Sequence, residues 1–268
     1  MLKMTHEKNP FNTALGKGRP LIGVWSMLGS SPVVELIGGA GFDWMLLDME
    51  HGPIDIDNLR SHLTALNGSA TMPVVRVKWN DMVEIKRILD LGAQTIMVPQ
   101  IQSREEARQA VANTRYPPHG VRGVAGGTRA TNYGRRKDYF QHASDGISVL
   151  VQAESQAALD NLPEIASVDG VDGVFIGPSD LAASLGFLGN PSHPTVHAAI
   201  EKAVKTIRSA GKYAGTIATQ EAGARKMLGL GFDFVAVGID VGLLSQAADT
   251  LAAKFINGLG AGNNPINY

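Results

Sequence analysis

Apolar residues along the chain recur in short runs that alternate with stretches whose apolar positions follow a helical spacing. The runs are rich in Val, Ile, Leu and aromatic residues and are bounded by Gly, Pro or polar residues, which is typical of buried strands. We predict eight strands, at residues 21–25, 44–47, 73–77, 95–98, 148–152, 173–176, 213–217 and 234–237. The alternation of strands and helices favours a parallel sheet covered by helices.

Helices are predicted between these strands. Residues 81–91 place apolar side chains at helical spacing and are followed by Gly92, and residues 103–115 form a second such stretch. Eight strand-and-helix repeats in a chain of this length predict a TIM (β/α)8 barrel, an α/β fold, as a single domain over residues 1–268. Within it we expect an N-terminal extension at residues 1–20 and a flexible tail, rich in Gly, Asn and Pro, at residues 258–268.

The regular spacing of strands breaks once, between residues 98 and 148. This interval leaves room for a helix and for a long segment at residues 116–145. A segment of that length in a compact domain usually serves as a lid, as a contact between subunits, or as both.

Composition narrows the choice of partners. The 268 residues include 24 basic and 25 acidic side chains, so no strong overall field would attract nucleic acid or an anionic membrane. Small molecules are therefore the expected ligands. The absence of cysteine excludes disulfides, thiolate metal ligands and a cysteine nucleophile. No apolar run resembles a signal peptide or a membrane span, and we expect a cytoplasmic protein.

Two predicted strands in the second half of the chain lead to carboxylates. Glu154 follows the strand at 148–152, and Asp180 follows the next strand after a Gly-Pro-Ser turn. The carboxyl ends of parallel strands carry the chemistry of such folds, and neighbouring strands meet at one rim. Two acidic groups placed there repel each other unless a cation lies between them, which predicts a divalent-metal site. The alternative is that each carboxylate caps the helix after its strand.

Basic groups occupy the same rim. His51 directly follows the second strand, and its ordinary pKa near 6.5 suits a general base, although a surface histidine is an equal alternative. Arg76 lies at the end of the third strand, where it would meet an anionic substrate or an enolate oxygen. The alternative for Arg76 is a structural ion pair with Asp48 or Glu50.

Two further features could bind or orient ligands. Gln152 lies two residues before Glu154, so it points to the same side of its strand and could orient that carboxylate; a satisfied core amide is the alternative. The backbone N–H groups of Ser179 and Asp180 open the following helix and would form an anion site.

The chain resembles the HpcH/HpaI aldolase family over nearly its whole length. The motifs that carry the resemblance are residues 42–51 (FDWMLLDMEH), 73–77 (PVVRV), 115–118 (RYPP) with 122–124 (RGV), and 171–181 (VDGVFIGPSDL). The resemblance implies a class II lyase with a divalent cation, Mg, Mn or Co, that reversibly cleaves a 4-hydroxy-2-oxo acid to pyruvate and an aldehyde. An example is 4-hydroxy-2-oxoheptanedioate, which would give pyruvate and succinate semialdehyde.

The resemblance also implies a role for each site residue. Glu154 and Asp180 would bind the metal, His51 would accept the proton, and Arg76 would stabilise the transition state. Gln152 and the backbone of Ser179 and Asp180 would bind pyruvate, and an acidic residue, here Asp90, would raise the basicity of His51. Asp90 ends a helix that leads away from the rim, so it would reach His51 only from an irregular helix or from another subunit.

The family implies a homo-oligomer, commonly a hexamer built as a trimer of dimers, whose C-terminal helix packs onto a neighbouring subunit. We expect selectivity for the aldehyde to come from Trp25, from residues 123–133 and from that neighbour. Hydroxypyruvate is a conceivable replacement for pyruvate.

Several alternatives stay open at this point. The same barrel chemistry would suit a 2-dehydro-3-deoxy sugar-acid aldolase, a decarboxylase or another 2-oxo-acid lyase. A Schiff-base aldolase would need a lysine at the rim, and Lys78 is the residue placed to serve. A barrel without catalytic activity, acting as an oligomeric interaction module, would show no metal-dependent turnover.

Overall fold

Eight parallel strands form a closed barrel in the computed structural model, which describes residues 8–256. The strands are β1 Leu21–Ser26, β2 Trp44–Asp48, β3 Met72–Arg76, β4 Thr95–Val98, β5 Ser148–Ala153, β6 Gly173–Ile176, β7 Tyr213–Ile217 and β8 Phe234–Ile239. Each strand pairs with the next in sequence, and β8 closes the barrel against β1. The predicted TIM (β/α)8 fold and all eight predicted strands are confirmed.

Twelve helices accompany the strands within residues 8–256. They are α1 Pro10–Leu15, α2 Ser31–Gly38, α3 Ile56–Ala65, α4 Met82–Asp90, α5 Arg104–Thr114, α6 Tyr139–His142, α7 Gln156–Asp160, α8 Leu162–Ala166, α9 Pro178–Ser184, α10 Pro194–Ser209, α11 Glu221–Gly229 and α12 Asp240–Phe255. A short 3₁₀ turn, Ala143–Gly146, follows α6. The two helices predicted at residues 81–91 and 103–115 correspond to α4 and α5. The predicted tail at residues 258–268 lies outside the described residues.

Large aromatic side chains fill the inside of the barrel. The rings of Trp44 and Phe234 lie edge to face with centroids 5.8 Å apart, and both are fully buried. Each ring occupies space over a strand glycine, because a Cβ added at Gly23 would meet Trp44 and one added at Gly215 would meet Phe234. The outward-facing Val, Ile and Leu residues of the same strands pack beneath the helices in a second, larger apolar layer.

Helix α1 closes the lower end of the barrel. Phe11 is fully buried, and its ring lies 5.4 Å from that of Phe234 and 6.1 Å from that of Trp44. Asn9 caps the helix and also donates to the backbone carbonyl of Gln94 at 2.8 Å, which ties the helix to the barrel wall. The N-terminal extension assigned from the sequence therefore contains an ordered helix that completes the core.

The long segment at residues 116–145 lies at the lower face. Arg129 donates to the carbonyl of Leu91, directly after α4, at 2.7 Å. It also donates to the carbonyl of Leu63, in the last turn of α3, at 3.3 Å. The backbone N–H of Ala130 donates to the carbonyl of Asp90. Because these partners mark the lower ends of their helices, the segment does not cover the upper rim of its own barrel.

Helix α12 follows β8 and differs from the other long helices in its burial. Asp240 is the residue of this helix that is buried, whereas Leu243, Leu244, Leu251 and Phe255 are exposed by 46%, 59%, 59% and 80%. Exchange of this helix with a neighbouring subunit stays a prediction. Among residues 8–256, no helix combines the length and the apolar character needed to cross a membrane.

Candidate active site

Polar side chains gather where the strands end at the upper rim. Asp48 ends β2, Arg76 ends β3, and Gln152 and Glu154 lie at the end of β5. Each of these four side chains belongs to a residue that is at most 5% exposed. Buried charge of this density in a parallel barrel marks the rim as the candidate active site.

Arg76 joins the acidic groups that follow β2. Its Nε and Nη2 donate to the two carboxylate oxygens of Asp48 at 3.0 and 2.7 Å, and its Nη1 lies 2.7 Å from Oε2 of Glu50. A guanidinium has five N–H groups, so these contacts leave about two of them free for a substrate oxygen. The structural ion pair that the sequence offered as an alternative is therefore present, and the catalytic role of Arg76 stays a prediction.

The pKa values of the two acidic partners of Arg76 are shifted in opposite directions. Burial alone would raise the pKa of Asp48, but the hydrogen bonds and charge of Arg76 lower it below its usual range. Burial raises the pKa of Glu50, against the opposing charges of Arg76 and His51. Burial alone would lower the pKa of Arg76, but Asp48 and Glu50 raise it by more than burial lowers it. The guanidinium therefore stays charged.

Trp25 lies against the same cluster. Its indole Nε1 donates to Asp48 Oδ2 at 2.9 Å, and the guanidinium carbon of Arg76 lies 4.9 Å from the centre of its ring. On the inner side, Trp25 packs on Phe175 with ring centroids 5.5 Å apart. The indole therefore holds the carboxylate and the guanidinium in place and forms part of the floor of the rim.

His51 lies on the loop after β2 with an exposed side chain. Its backbone N–H donates to Asp48 Oδ1 at 3.3 Å, which ties this loop to the ion pair with Arg76. The loop is tightly packed, because a Cβ at Gly52 would lie 3.2 Å from the carbonyl oxygen of Met27. An exposed imidazole on an anchored backbone is available to a substrate at the mouth of the barrel.

Glu154 is held by donors from two directions. The backbone N–H of Gln100, in the loop after β4, donates to Oε1 at 3.1 Å, and the side-chain amide of Gln152 donates to Oε2. Gly177 lies against the pair, since a Cβ there would collide with Glu154 Oε2. The carboxylate is thus fixed between the ends of β4, β5 and β6, and Gln152 contacts it as the spacing predicted.

Asp180 lies in the first turn of α9, where its side chain is exposed. Burial and the charge of Asp180 raise the pKa of Glu154 to about 7. The caps of the adjoining helices are other residues, because Ser155 accepts from the N–H of Ala158 to cap α7 and Gly177 precedes α9. The alternative in which Glu154 and Asp180 serve as caps is therefore wrong.

The start of α9 presents backbone donors beside these carboxylates. Pro178 occupies its first position and has no N–H, so Ser179 and Asp180 carry the first unpaired donors of the helix. Ser179 is half-buried and Pro178 is buried. This arrangement supports the prediction of a carboxylate-binding position, which stays a prediction.

The residues present fit a divalent cation. Glu154 is buried beside a second carboxylate, and its burial together with the charge of Asp180 raises its pKa. Oε1 of Gln152 is also buried without a hydrogen-bond partner among the described residues. Within residues 8–256, no group of three or more His, Cys, Asp or Glu residues gathers as a metal site. Two carboxylates would leave positions for water and substrate, as hard cations such as Mg²⁺ require.

Asp90 lies far from this cluster within the same chain. It ends α4, a regular nine-residue helix that begins above β3 and descends about 13 Å to the lower face. There its carboxylate accepts from Nη2 of the buried Arg122 at 2.8 Å. The structure therefore brings together Trp25, Arg76, Gln152, Glu154 and Asp180, with His51 near Glu50, and it does not bring Asp90 to them.

Two rim residues escaped the sequence analysis. Gln100 holds Glu154 through its backbone, which no side-chain pattern reveals. Asp240 is 1% exposed and accepts from Ser26 Oγ and from the N–H groups of Met27 and Leu28, each at 3.0 Å. Because β8 extends two residues beyond the predicted boundary, Asp240 stands directly after the strand, which is the signal that could have found it.

Comparisons with known proteins agree with this geometry. A family model described as HpcH/HpaI aldolase/citrate lyase matches residues 21–247. The chain is similar to the 4-hydroxy-2-oxo-heptane-1,7-dioate aldolase of Salmonella arizonae, with 52% identity over 249 residues, 92% of this chain and 95% of the other.

Two solved structures share the fold. An HpcH/HpaI aldolase/citrate lyase family protein from Burkholderia cenocepacia J2315 is 39% identical, with a TM-score of 0.89 over 92% of this chain and 98% of that one. The HpcH/HpaI aldolase from Desulfitobacterium hafniense DCB-2 is 26% identical, with a TM-score of 0.84 over 94% of this chain and 99% of that one.

Proposed function

The chain belongs to the HpcH/HpaI aldolase/citrate lyase family, and from that premise we propose that it is a divalent-metal-dependent pyruvate aldolase. Its substrate is a 4-hydroxy-2-oxo acid, with 4-hydroxy-2-oxoheptanedioate as the first candidate because of the relative named above. The products are pyruvate and an aldehyde, which for that substrate is succinate semialdehyde. The observation that carries the proposal is the buried Glu154 beside Asp180, at a rim where Arg76 is the neighbouring cation.

The reaction requires charge to be stabilised at one oxygen and a proton to be removed from another. Cleavage between C3 and C4 leaves an electron pair on the pyruvate fragment as an enolate, which takes a proton from water at C3 to give pyruvate, while the C4 hydroxyl loses its proton and becomes the carbonyl of the aldehyde. Glu154 and Asp180 would hold a divalent cation, Mg, Mn or Co, which would supply Lewis-acid stabilisation for that enolate. The residues of the chain bind the pyruvate group, add a second positive charge and transfer the proton.

Arg76 stabilises the charge that develops on the enolate oxygen. Asp48 and Glu50 hold three of its N–H groups, so the guanidinium is oriented before substrate arrives and needs little reorganisation during the reaction. Trp25 supports the plane of the guanidinium and excludes water from that side. The backbone N–H groups of Ser179 and Asp180, together with the side chain of Gln152, bind the pyruvate carboxylate and keto groups.

His51 accepts the proton of the C4 hydroxyl and returns it in the condensation direction. Its ring is exposed and close enough to Glu50 for their charges to interact, and its backbone is fixed through Asp48. An imidazole is well matched to this task near neutral pH.

We propose that Asp90 of a neighbouring subunit orients His51, since Asp90 of the same chain lies at the lower face. The exposed apolar residues of α12 support packing against such a neighbour. This arrangement gives a homo-oligomer with exchanged C-terminal helices, and a hexamer, a trimer of dimers, is the state we propose.

The decisive experiment follows pyruvate release from a racemic 4-hydroxy-2-oxo acid by protein stripped with EDTA. Activity that disappears with EDTA and returns with Mg²⁺, Mn²⁺ or Co²⁺ supports the proposal. Glu154→Gln should abolish the metal-dependent activity while the circular dichroism spectrum is retained. Glu164→Gln, on an exposed position of α8, serves as the matched control and should behave as wild type. Activity that is unchanged by EDTA would instead indicate a Schiff-base mechanism that uses Lys78.

A further inference from the structure

The loop after β4 contains an unusual backbone conformation at the rim. Gln100 has a φ of 55°, in the left-handed region that residues other than glycine rarely adopt. Among the described residues, the other non-glycine positions with positive φ are Asn132 and Tyr133, which belong to the lower-face segment. Gln100 is therefore the one such residue beside the catalytic cluster within residues 8–256. Strained conformations persist where the surrounding structure requires them, and they concentrate at functional sites.

The conformation has a specific effect on hydrogen bonding. Pro99 has no N–H, so the donors that follow β4 are Gln100 and Ile101. The N–H of Gln100 donates to Glu154 Oε1 at 3.1 Å, and the N–H of Ile101 donates to the carbonyl of Gln152 at 3.0 Å. Both consecutive donors thus face β5. In an extended strand, consecutive N–H groups point to opposite sides, so a break in the extended geometry is needed to bring both to β5.

The two donors on Glu154 act from different directions. Gln152 engages Oε2 from within β5, and Gln100 engages Oε1 from the neighbouring loop. Buried metal-ligating carboxylates depend on such hydrogen bonds for their orientation. We infer that Gln100 is a positioning residue, whose left-handed backbone holds Glu154 in the orientation that binds the divalent cation. This inference rests on the proposed function, because it takes Glu154 as a metal ligand.

The inference distinguishes the backbone of Gln100 from its side chain. Glycine adopts positive φ without a steric penalty, and asparagine tolerates it better than most residues. Valine, being branched at Cβ, strongly disfavours it. If the backbone matters, Gln100→Gly and Gln100→Asn should preserve the site, whereas Gln100→Val should pull the loop away from Glu154.

The test measures Mn²⁺ binding to the EDTA-stripped full chain without substrate, by the electron paramagnetic resonance signal of free Mn²⁺. We expect Gln100→Val to raise the dissociation constant for Mn²⁺ about 10-fold to 100-fold. Gln100→Gly and Gln100→Asn should stay within about threefold of wild type. Gln102→Val is the matched control, since Gln102 lies in the same loop without a positive φ, and it should bind Mn²⁺ as wild type does.

The Mn²⁺ affinities of the Gln100 and Glu154 variants test the inference and the proposed metal site separately. A wild-type affinity in Gln100→Val would overturn the inference, and so would an equal loss in Gln100→Gly, which would assign the effect to the side chain. If Gln100→Val does not fold, Gln100→Thr takes its place, because threonine is also branched at Cβ, and it should bind Mn²⁺ more weakly than Gln100→Gly. Glu154→Gln, measured in parallel, separates the two claims: if it binds Mn²⁺ as tightly as wild type, the proposed metal site itself is wrong.

Discussion

Arg76 is the residue placed to serve both the stability of the rim and its proposed chemistry. A planar guanidinium can bind a carboxylate with two parallel bonds and still offer further N–H groups, which an ammonium group cannot do. In this structure, Asp48 takes the paired bonds and Glu50 takes a third contact. The position therefore requires arginine for its geometry and for its charge.

Replacing Arg76 with lysine tests this requirement. We expect Arg76→Lys to lower kcat about 100-fold to 1000-fold, because one ammonium group cannot hold Asp48 and Glu50 and also reach the enolate oxygen. KM should change much less than kcat, since the lost interaction belongs mainly to the transition state. Arg19→Lys is the control, because Arg19 precedes β1, away from the upper rim, and forms an exposed ion pair with Asp43. Equal kcat values for Arg76→Lys and wild type would remove Arg76 from the mechanism.

The ion pair between Asp48 and Arg76 also contributes to the stability of the folded protein. Its carboxyl is fully buried and its pKa is lowered by Arg76, so the stabilisation is present above the ordinary pKa of the unfolded chain and is lost as pH falls through the lower folded value. Asp48→Asn leaves Arg76 buried with a weaker partner and should reduce the free energy of unfolding at pH 7 by about 3–5 kcal/mol.

The difference between wild type and Asp48→Asn should shrink as pH falls below about 3.9, where the carboxyl of the unfolded chain takes up a proton, and should be lost as pH falls through the lower folded value. Urea denaturation from pH 7 down to the lowest pH at which wild type stays folded measures this difference. A difference that is constant with pH would mean that the charge of Asp48 is not what stabilises the pair.

Residue identity alone predicts part of this site. Glu154, Asp180, Arg76 and His51 were predicted for the candidate site because each follows an apolar run, where the end of a parallel strand is expected, and the structure places all four at or just after the ends of strands. Gln100 was not found, because its contribution is a backbone N–H in a left-handed conformation, and glutamine is not a residue that marks such a conformation. Sequence analysis identifies functional groups on side chains more readily than those on the backbone.

At the level of elements, the strands were predictable and the closing helix was not. A strand in a barrel is apolar on both faces, so its run is visible in the sequence, and all eight runs coincide with strands. Helix α1 has six residues, too few to show a helical period. Its formation depends on Phe11 meeting Trp44 and Phe234, which come from distant parts of the chain.

Phe11 gives a direct test of the role of α1. Phe11→Ala should reduce the free energy of unfolding by about 3–5 kcal/mol, because it removes a fully buried ring from a close-packed interior. We expect kcat at 25 °C to stay within about twofold of wild type, since α1 closes the end of the barrel opposite the active site. Thermal and urea denaturation measure the stability.

The exposed Thr13 in the same helix provides the control for this prediction. Thr13→Ala should change the free energy of unfolding by less than about 1 kcal/mol. If Phe11→Ala instead lowers kcat with little loss of stability, then α1 influences the rim in a way that the packing does not explain.

At the scale of the whole molecule, one barrel lacks part of its proposed catalytic machinery. Asp90 and residues 123–133 lie at the lower face, bound to Arg122 and to the ends of α3 and α4. Asp90 was expected to reach His51 from an irregular helix or from another subunit, and residues 123–133 were expected to contribute to aldehyde selectivity; a single chain brings neither to the rim. A neighbouring subunit that places its lower face over this rim would reconcile the two. Such an arrangement is not visible in a single chain, because the contacts that define it lie between chains.

Complementation between two inactive variants tests this arrangement. His51→Ala removes the proton acceptor, and Asp90→Asn removes the charge while keeping an oxygen that can accept from Arg122. Each variant alone should be nearly inactive. If Asp90 acts on a neighbouring subunit, a co-expressed 1:1 mixture that assembles at random should recover about a quarter of wild-type activity, because that fraction of sites pairs an intact His51 with an intact Asp90. If Asp90 acts within its own chain, every site in the mixture lacks one of the two groups, and co-expression recovers nothing. Native mass spectrometry of the same samples, which resolves the mass difference between the two variant chains, establishes that mixed oligomers have formed, so an absence of recovery would count against the exchange of Asp90 between subunits.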